Sequence, residues 1–166
     1  MAAKPTAAER RSFRNDLVAL LADLRAFSRF LCRDRIAADD LVQNTVVVAL
    51  SKQHQFQPGT NMKAWLFTIM RSQFYSGLRS ARRRAATMEP GDAENTPGVD
   101  SADRSTGLID LSKAWWRLNA EYREALMLVG AGGFSYEEAA ALCQCSLGTM
   151  KARVSRARRQ LAEAME

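Results

Sequence analysis

The run Ser135-Tyr136-Glu137-Glu138-Ala139-Ala140-Ala141-Leu142-Cys143-Gln144-Cys145-Ser146-Leu147-Gly148-Thr149-Met150-Lys151-Ala152-Arg153-Val154-Ser155-Arg156-Ala157-Arg158-Arg159-Gln160-Leu161 decides how the C-terminal part of the chain folds. Ser135 and Glu138 form a capping-box pattern, in which hydroxyl and carboxylate satisfy reciprocal orphan amides at a helix start. The short helix they open runs through Ala139, Ala140 and Leu142. Residues 143–146 make a tight turn, and Ser146 is placed to cap a second, longer helix from Leu147 to about Leu161. A short helix, a tight turn and a long helix have helix-turn-helix spacing.

At ~100° per residue, Leu147, Met150, Val154, Ala157 and Leu161 of the longer helix share one side and are expected to face a core. The opposite side presents Gly148, Thr149, Ala152, Ser155, Arg156 and Arg159, flanked by Lys151, Arg153 and Arg158. Small residues edged with cations fit a major groove about 12 Å wide, which bulky apolar side chains would obstruct. Arg156 is the best candidate for bidentate reading of guanine. Thr149, Lys151 and Ser155 are candidates for bases or phosphates, and Arg153, Arg158 and Arg159 for phosphates. A basic face alone also suits a solvated surface helix. Here residues 147–160 hold five bases and no acid directly after a capped helix and turn, and that combination favours double-stranded DNA.

Working towards the N-terminus, Gly130-Ala131-Gly132-Gly133 stops a helix that starts after Asn119 and carries Tyr122, Leu126 and Val129. Phe134 is expected to pack back on its core. Leu111, Trp115 and Leu118 mark a further helix before Asn119. Residues 85–105 lose all periodicity. Pro90-Gly91, Pro97-Gly98 and the acidic composition describe an exposed, flexible linker. Its acidity reads either as solvation or as a shield for basic surfaces of the same chain.

In the first part of the chain, Phe13, Leu17, Leu20, Leu21, Leu24, Phe27 and Leu31 recur with helical period. They predict one long amphipathic helix, with Arg11, Arg14, Arg25 and Arg29 on its other face. A second helix is expected over about residues 38–50, with Asp39 and Asp40 in its first turn, where the helix dipole favours them. Leu41, Val42, Thr45, Val48 and Ala49 mark its packed side. The Val46-Val47-Val48 run has no turn boundaries and is read as helix. Residues 53–61 form a loop with a turn at Pro58-Gly59, and Thr60 or Asn61 can cap a third helix after it. That third helix carries Met62, Trp65, Leu66, Ile69, Met70, Phe74 and Leu78, and ends on Arg79, Arg82, Arg83 and Arg84. The fold class expected is all-α: two small helical domains, 10–85 and 109–166, joined by a flexible acidic linker, 86–108.

The charge distribution agrees with that division. Residues 1–84 hold 15 basic and 6 acidic side chains, 85–110 one and 6, and 111–166 eight and 6. Basic modules suggest a polyanionic partner, either nucleic acid or an acidic protein face. Cys32, Cys143 and Cys145 are an odd number without secretory context, expected as reduced thiols of a cytosolic chain. Cys143 and Cys145 lack companions for a zinc site, since the single histidine is the distant His54, so no metal or other cofactor is expected. Neither a signal peptide nor a membrane span is expected. With one histidine, no carboxylate pair at fixed helical spacing and no glycine-rich phosphate loop, there is no catalytic constellation to nominate.

Three segments, Ala38-Asp39-Asp40-Leu41-Val42-Gln43-Asn44-Thr45, Asn61-Met62-Lys63-Ala64-Trp65-Leu66-Phe67-Thr68-Ile69-Met70-Arg71-Ser72 and Gly148 to Arg158, resemble in order and spacing the extracytoplasmic-function (ECF) sigma factors. These are two-domain promoter-specificity subunits of bacterial RNA polymerase. The resemblance implies a region 2 helical bundle and a region 4 helix-turn-helix. It places core polymerase contacts, to the β′ clamp, at Asp39, Asp40, Leu41, Gln43 and Asn44, with the β flap as a second polymerase contact. It implies that the loop 56–62 holds a flipped base of the −10 element, with Phe56, Asn61, Lys63, Trp65, Arg71, Arg79 and Arg82 on the non-template strand. Exposed aromatics and arginines suit unstacked bases, although Phe56 equally fits a loop side chain folded onto the core. Thr149, Lys151, Arg153, Ser155, Arg156, Arg158 and Arg159 would meet the −35 element. The chain departs from the family pattern at Asn44, where Glu is usual, at Val47 and Val48, where Arg is frequent, and at Ser72, where Asn is common.

The runs 67–71, 74–76 and 132–139 resemble the alphaproteobacterial general stress response subgroup, the EcfG type. That resemblance implies stress-response promoters and a small NepR-like anti-sigma partner, itself titrated by a phosphorylated response regulator with a sigma-like domain. Two alternatives stay open. A stand-alone helix-turn-helix regulator would bind an operator without polymerase and usually carry a receiver or ligand domain; the first 85 residues offer no phosphoacceptor cluster on strands. A sigma-like adaptor that titrates an anti-sigma factor predicts loss of DNA-facing bases from the last helix, whereas five remain.

Overall fold

Every regular element among the described residues of the computed structural model, residues 6–87 and 106–166, is a helix. These residues form two compact units, 6–28 with 35–87, and 29–34 with 106–166.

The first unit begins with α1 (Ala7–Ala19), opened by a capping box that the apolar periodicity does not reveal. The Thr6 hydroxyl accepts from the Glu9 amide at 3.2 Å, and the Glu9 carboxylate accepts from the Thr6 amide at 2.7 Å. These two bonds, backbone first, hold the Glu9 carboxyl below its ordinary pKa. The single long helix expected over Phe13 to Leu31 is corrected: the chain breaks at Leu20 and resumes as α2 (Leu21–Leu31). Phe13, Leu17, Leu24, Phe27 and Leu31 are all buried, so one apolar stripe continues across the break. Periodicity cannot register a break that keeps its phase.

α3 (Arg35–Ser51) packs on α4 (Met62–Thr87), with a short 3-10 helix (Gln53–Gln55) after α3. The expected inner residues Leu41, Val42, Thr45 and Ala49 are buried, and Val48 is half-buried. The Thr45 hydroxyl is fully buried and donates to the Leu41 carbonyl at 2.7 Å, which removes the cost of burying it. Phe67, absent from the expected stripe of α4, is buried and stacks on Phe27 with centroids 4.3 Å apart. The basic run Arg79, Arg82, Arg83 and Arg84 continues α4 as exposed helix.

The second unit holds α5 (Thr106–Arg117), α6 (Ala120–Gly130), α7 (Tyr136–Leu142) and α8 (Leu147–Met165). Asn119 caps α6 by accepting from the Tyr122 amide at 2.8 Å. Arg123 on α6 donates to the Leu118 carbonyl and lies 4.9 Å over the Trp116 ring. After α6 the chain folds back closely. The Gly132 and Phe134 amides donate to the Met127 and Leu128 carbonyls, and Phe134 is buried as expected. A Cβ on Gly132 would stand 2.7 Å from the Leu128 carbonyl oxygen, so only glycine fits there.

The capping box of α7 forms as the sequence required, with Ser135 and Glu138 bonded reciprocally at 3.1 and 2.8 Å. The turn to α8 is closed by Gln144 in the left-handed region (φ +54°) and by the Cys145 amide donating to the Ala140 carbonyl. α8 packs against α5, α6 and α7, and Met150, Val154 and Ala157 are buried. Leu147 was expected in that core but is 37% exposed. It stands at the first residue of α8, on the flank of the stripe.

Of the linker expected over 86–108, residues 86–87 and 106–108 are helical, and the remainder lies outside the described residues. Among the described residues, no helix is long and apolar enough to cross a membrane.

Candidate nucleic-acid and polymerase interface

The start of α8 is fixed by Ser146. Its hydroxyl accepts from the Thr149 amide at 3.1 Å and shares a 2.8 Å hydrogen bond with the Thr149 hydroxyl. From that anchored end, Lys151, Ser155, Arg156, Arg158 and Arg159 are exposed, with Gly148 and Thr149 beside them. Arg159 Nε lies 3.8 Å from Glu163, an exposed pair on one helix that holds the arginine only weakly. Arg153 stands apart from this set. Its Nη2 is 2.9 Å from Glu121 of α6 and its side chain is 17% exposed, so it ties α8 to its neighbour. The surface left by the buried stripe is thus a narrow face of small and cationic residues on a capped helix.

In the first unit, the segment after α3 folds against α1. Phe56 is half-buried, its ring edge-on to Phe13 at 5.7 Å and tilted against Trp65 at 5.3 Å, and Trp65 meets Phe13 edge-on at 6.0 Å. Of the two readings of Phe56, the ring therefore packs on α1 and α4 while keeping part of its surface open. Beside it lies a cleft of about 500 Å³ whose walls include Ser12, Phe13 and Asp16 of α1 and Phe56, Thr60 and Met62. Asn61 is exposed and caps α4, accepting from the Ala64 amide at 3.0 Å. Lys63 lies 3.5 Å from Asp23 and 5.7 Å over the Phe67 ring. Arg71 lies 4.8 Å over the Tyr75 ring. Both cations are thus held in place, whereas Arg79 and Arg82 extend into solvent further along α4.

On α3, Asp39, Asp40, Gln43 and Asn44 are exposed, but Leu41 is 7% exposed and belongs to the core. Sequence reasoning missed the apolar side chains that share the exposed face: Ile36 is 72% exposed, Val47 64% and Leu50 41%. At ~100° per residue these three fall on the side of Asp39, Asp40 and Gln43. The signal was present in Val46-Val47-Val48, which carries more apolar residues than one packed side can bury. None of Cys32, Cys143 and Cys145 forms a disulfide. Among the described residues, no group of three or more histidine, cysteine or acidic side chains could hold a metal ion.

Residues 116–161 match the family model for sigma-70 region 4, and residues 17–71 match the model of the Sigma2 domain of PhyR. The ECF RNA polymerase sigma factor EcfG of Rhodopseudomonas palustris is 44% identical over 153 residues, which cover 90% of this chain and 83% of that protein. The RNA polymerase sigma factor CarQ of Myxococcus xanthus is 30% identical over 142 residues, covering 84% and 81%. Among solved structures, the sigma factor RpoE of Bartonella quintana, crystallised with the anti-sigma factor NepR, superposes with a TM-score of 0.82 at 44% identity. That match covers 93% of this chain and 97% of RpoE. The PhyR–NepR complex of Sphingomonas sp. Fr1 (TM-score 0.62, 18% identity, 91% and 87% covered) shares the fold.

Proposed function

Because this chain belongs to the ECF sigma factors and is of the EcfG type, we propose that it brings core RNA polymerase to stress-response promoters by reading their −35 and −10 elements. The observation that carries this reading is the Ser146-capped α8, whose exposed face consists of small residues and cations while its apolar stripe is buried. Arg156 reads base edges of the −35 element, and Lys151, Ser155, Arg158 and Arg159 contact bases or phosphates around it. Arg153 positions the helix through Glu121. In the first unit, the partly open Phe56 ring and the cleft beside it capture a −10 base that has left the stack. Asn61 caps α4 and holds the loop beside that base. Lys63, Trp65 and Arg71 shape the site, and Arg79 and Arg82 track the backbone of the non-template strand. Polymerase docks its β′ clamp on the exposed face of α3, through Asp39, Asp40, Gln43 and Asn44, with Leu41 holding that face in place from the core.

This role requires recognition and strand capture from the chain, while polymerase supplies the chemistry; we assign the protein no catalytic activity of its own and place it in the cytoplasm with its polymerase. A NepR-like anti-sigma protein is its inhibitor, by analogy with RpoE, which was crystallised with NepR. The deciding experiment is in vitro transcription from a promoter library by core polymerase with and without the protein. New transcripts that share −35 and −10 sequences are expected. Absence of specific transcripts together with failure to co-purify with core would refute the reading.

A second reading, an adaptor that only sequesters an anti-sigma factor, draws on the match of residues 17–71 to the Sigma2 domain of PhyR. It predicts binding to a NepR-like protein with no transcription at any promoter. The exposed cations of α8 argue against it, because an adaptor has no use for them.

A further inference from the structure

The cleft beside Phe56 is closed on one side by α1, a helix to which neither the sequence pattern nor the family resemblance gives a part in reading DNA. Ser12, Phe13 and Asp16 line it from α1, opposite Gln53, Phe56 and Thr60. Its volume of about 500 Å³ lies within the roughly 300–1,000 Å³ usual for small-ligand pockets. The wall is aromatic at Phe13 and Phe56 and hydrogen-bonding at Ser12, Gln53 and Asp16. Glu9 also reaches the cleft, but its carboxylate is committed to the Thr6 amide at the start of α1. Asp16, two helical turns on and exposed, is the carboxylate placed to receive a ligand.

We propose that Asp16 is a specificity-determining residue for the captured −10 base, selecting a base with an exocyclic amino group over thymine. The inference rests on the base-capture reading above. An ionised carboxylate only accepts hydrogen bonds. It therefore pairs with the amino group of cytosine, adenine or guanine, and where it meets the 4-position of thymine rather than N3–H it opposes the O4 acceptor. Once a bound base fills the cleft and displaces its water, an unpaired acceptor facing another acceptor is the arrangement that lets one polar group discriminate strongly. The part-open Phe56 ring, backed by the buried Phe13, supplies stacking to any base, so the choice falls to the hydrogen-bonding wall.

Thymine and 5-methylcytosine have the same shape and differ at the 4-substituent and at N3, which makes them the probe. Holoenzyme assembled from core polymerase and the full chain is bound to pre-melted promoter DNA, with either base placed in turn at each −10 position of the non-template strand. At one position the 5-methylcytosine DNA is expected to bind about tenfold more tightly than the thymine DNA. Asp16→Ala should bring that ratio close to one. Asp16→Asn, whose amide can also donate to O4, should reduce it or invert it while keeping the fold. No position with a preference, or a ratio that survives Asp16→Ala, overturns the proposal. A 2-aminopurine reporter in the −10 element separates the two ideas. If its fluorescence rises on binding but no 5-methylcytosine preference appears, bases are captured and Asp16 does not choose among them. If it does not rise at any position, base capture itself is wrong and the proposal falls with it.

Discussion

Arg153 Nη2 lies 2.9 Å from a Glu121 carboxylate oxygen, so the helix that carries the exposed cations of the second unit is tied to α6 by one of its own arginines. Arg153 is mostly covered and Glu121 about half exposed, which places the pair between a surface and a buried bridge. A double-mutant cycle of Arg153→Ala and Glu121→Ala, read by urea unfolding, should give a coupling of roughly 0.5–1 kcal/mol. Additive single-mutant effects would show that the pair holds nothing together. The Arg153→Ala loss should also be larger than that of any exposed arginine on α8, because its stem covers apolar surface.

Arg156 makes the opposite case, as it is exposed on the face opposite the buried stripe. Arg156→Ala should leave the unfolding midpoint unchanged and cost about 1–3 kcal/mol of discrimination at one −35 base pair. Lys151→Ala should instead weaken binding to all sequences alike and lower the salt dependence of binding by about one unit of slope. Transcription from a panel of −35 variants, run at several salt concentrations, distinguishes the two. An Arg156→Ala profile parallel to wild type across the panel would remove its role as a base reader.

The helix-turn-helix was legible because both of its helices start at a local bond that the sequence spells out. Ser135 with Glu138, and Ser146, cap as their side-chain chemistry requires. What sequence could not show depended on partners distant in the chain. Arg153 looks like any other cation of α8 until Glu121 is brought beside it. Leu147 satisfies the period of the stripe yet lies on its flank, partly open to solvent. The break at Leu20 was invisible for another reason: α1 and α2 bury one continuous stripe, so the pattern is the same with or without it. The cleft between α1 and residues 53–62 joins segments about forty residues apart and has no sequence signature.

Cys32 offers a test by pH. Burial first, then the Asp34 carboxylate, push its thiol up to about 11 from an ordinary 9.0. The native state therefore prefers the neutral thiol. Its contribution to stability is complete below the unfolded value near 9.0 and is lost as pH rises through about 11. Wild type should lose stability over that interval more steeply than Cys32→Ala, measured by urea unfolding at a series of pH values. Equal slopes would mean that the thiol ionises as freely in the fold as out of it. At neutral pH, Cys32 should also alkylate far more slowly than a free thiol, which site-resolved mass spectrometry would report.

The two faces of α3 should separate stability from polymerase binding. Leu41 is buried in the first unit, so Leu41→Ala removes packed methyl groups and should cost about 2–5 kcal/mol of stability. Gln43 and Asp40 lie on the exposed side, together with Ile36, Val47 and Leu50. The exposed parts of these three side chains stabilise nothing within the chain, and a partner that covers them gains their burial. Replacing Ile36 and Val47 together by Ser should therefore leave unfolding within about 0.5 kcal/mol of wild type while weakening association with core polymerase at least tenfold. Val47 stands where Arg is frequent in the family, so Val47→Arg tests whether this chain's contact is apolar. Weaker binding of that variant to core would show that it is, and binding equal to wild type would leave the exposed valine without a role in docking.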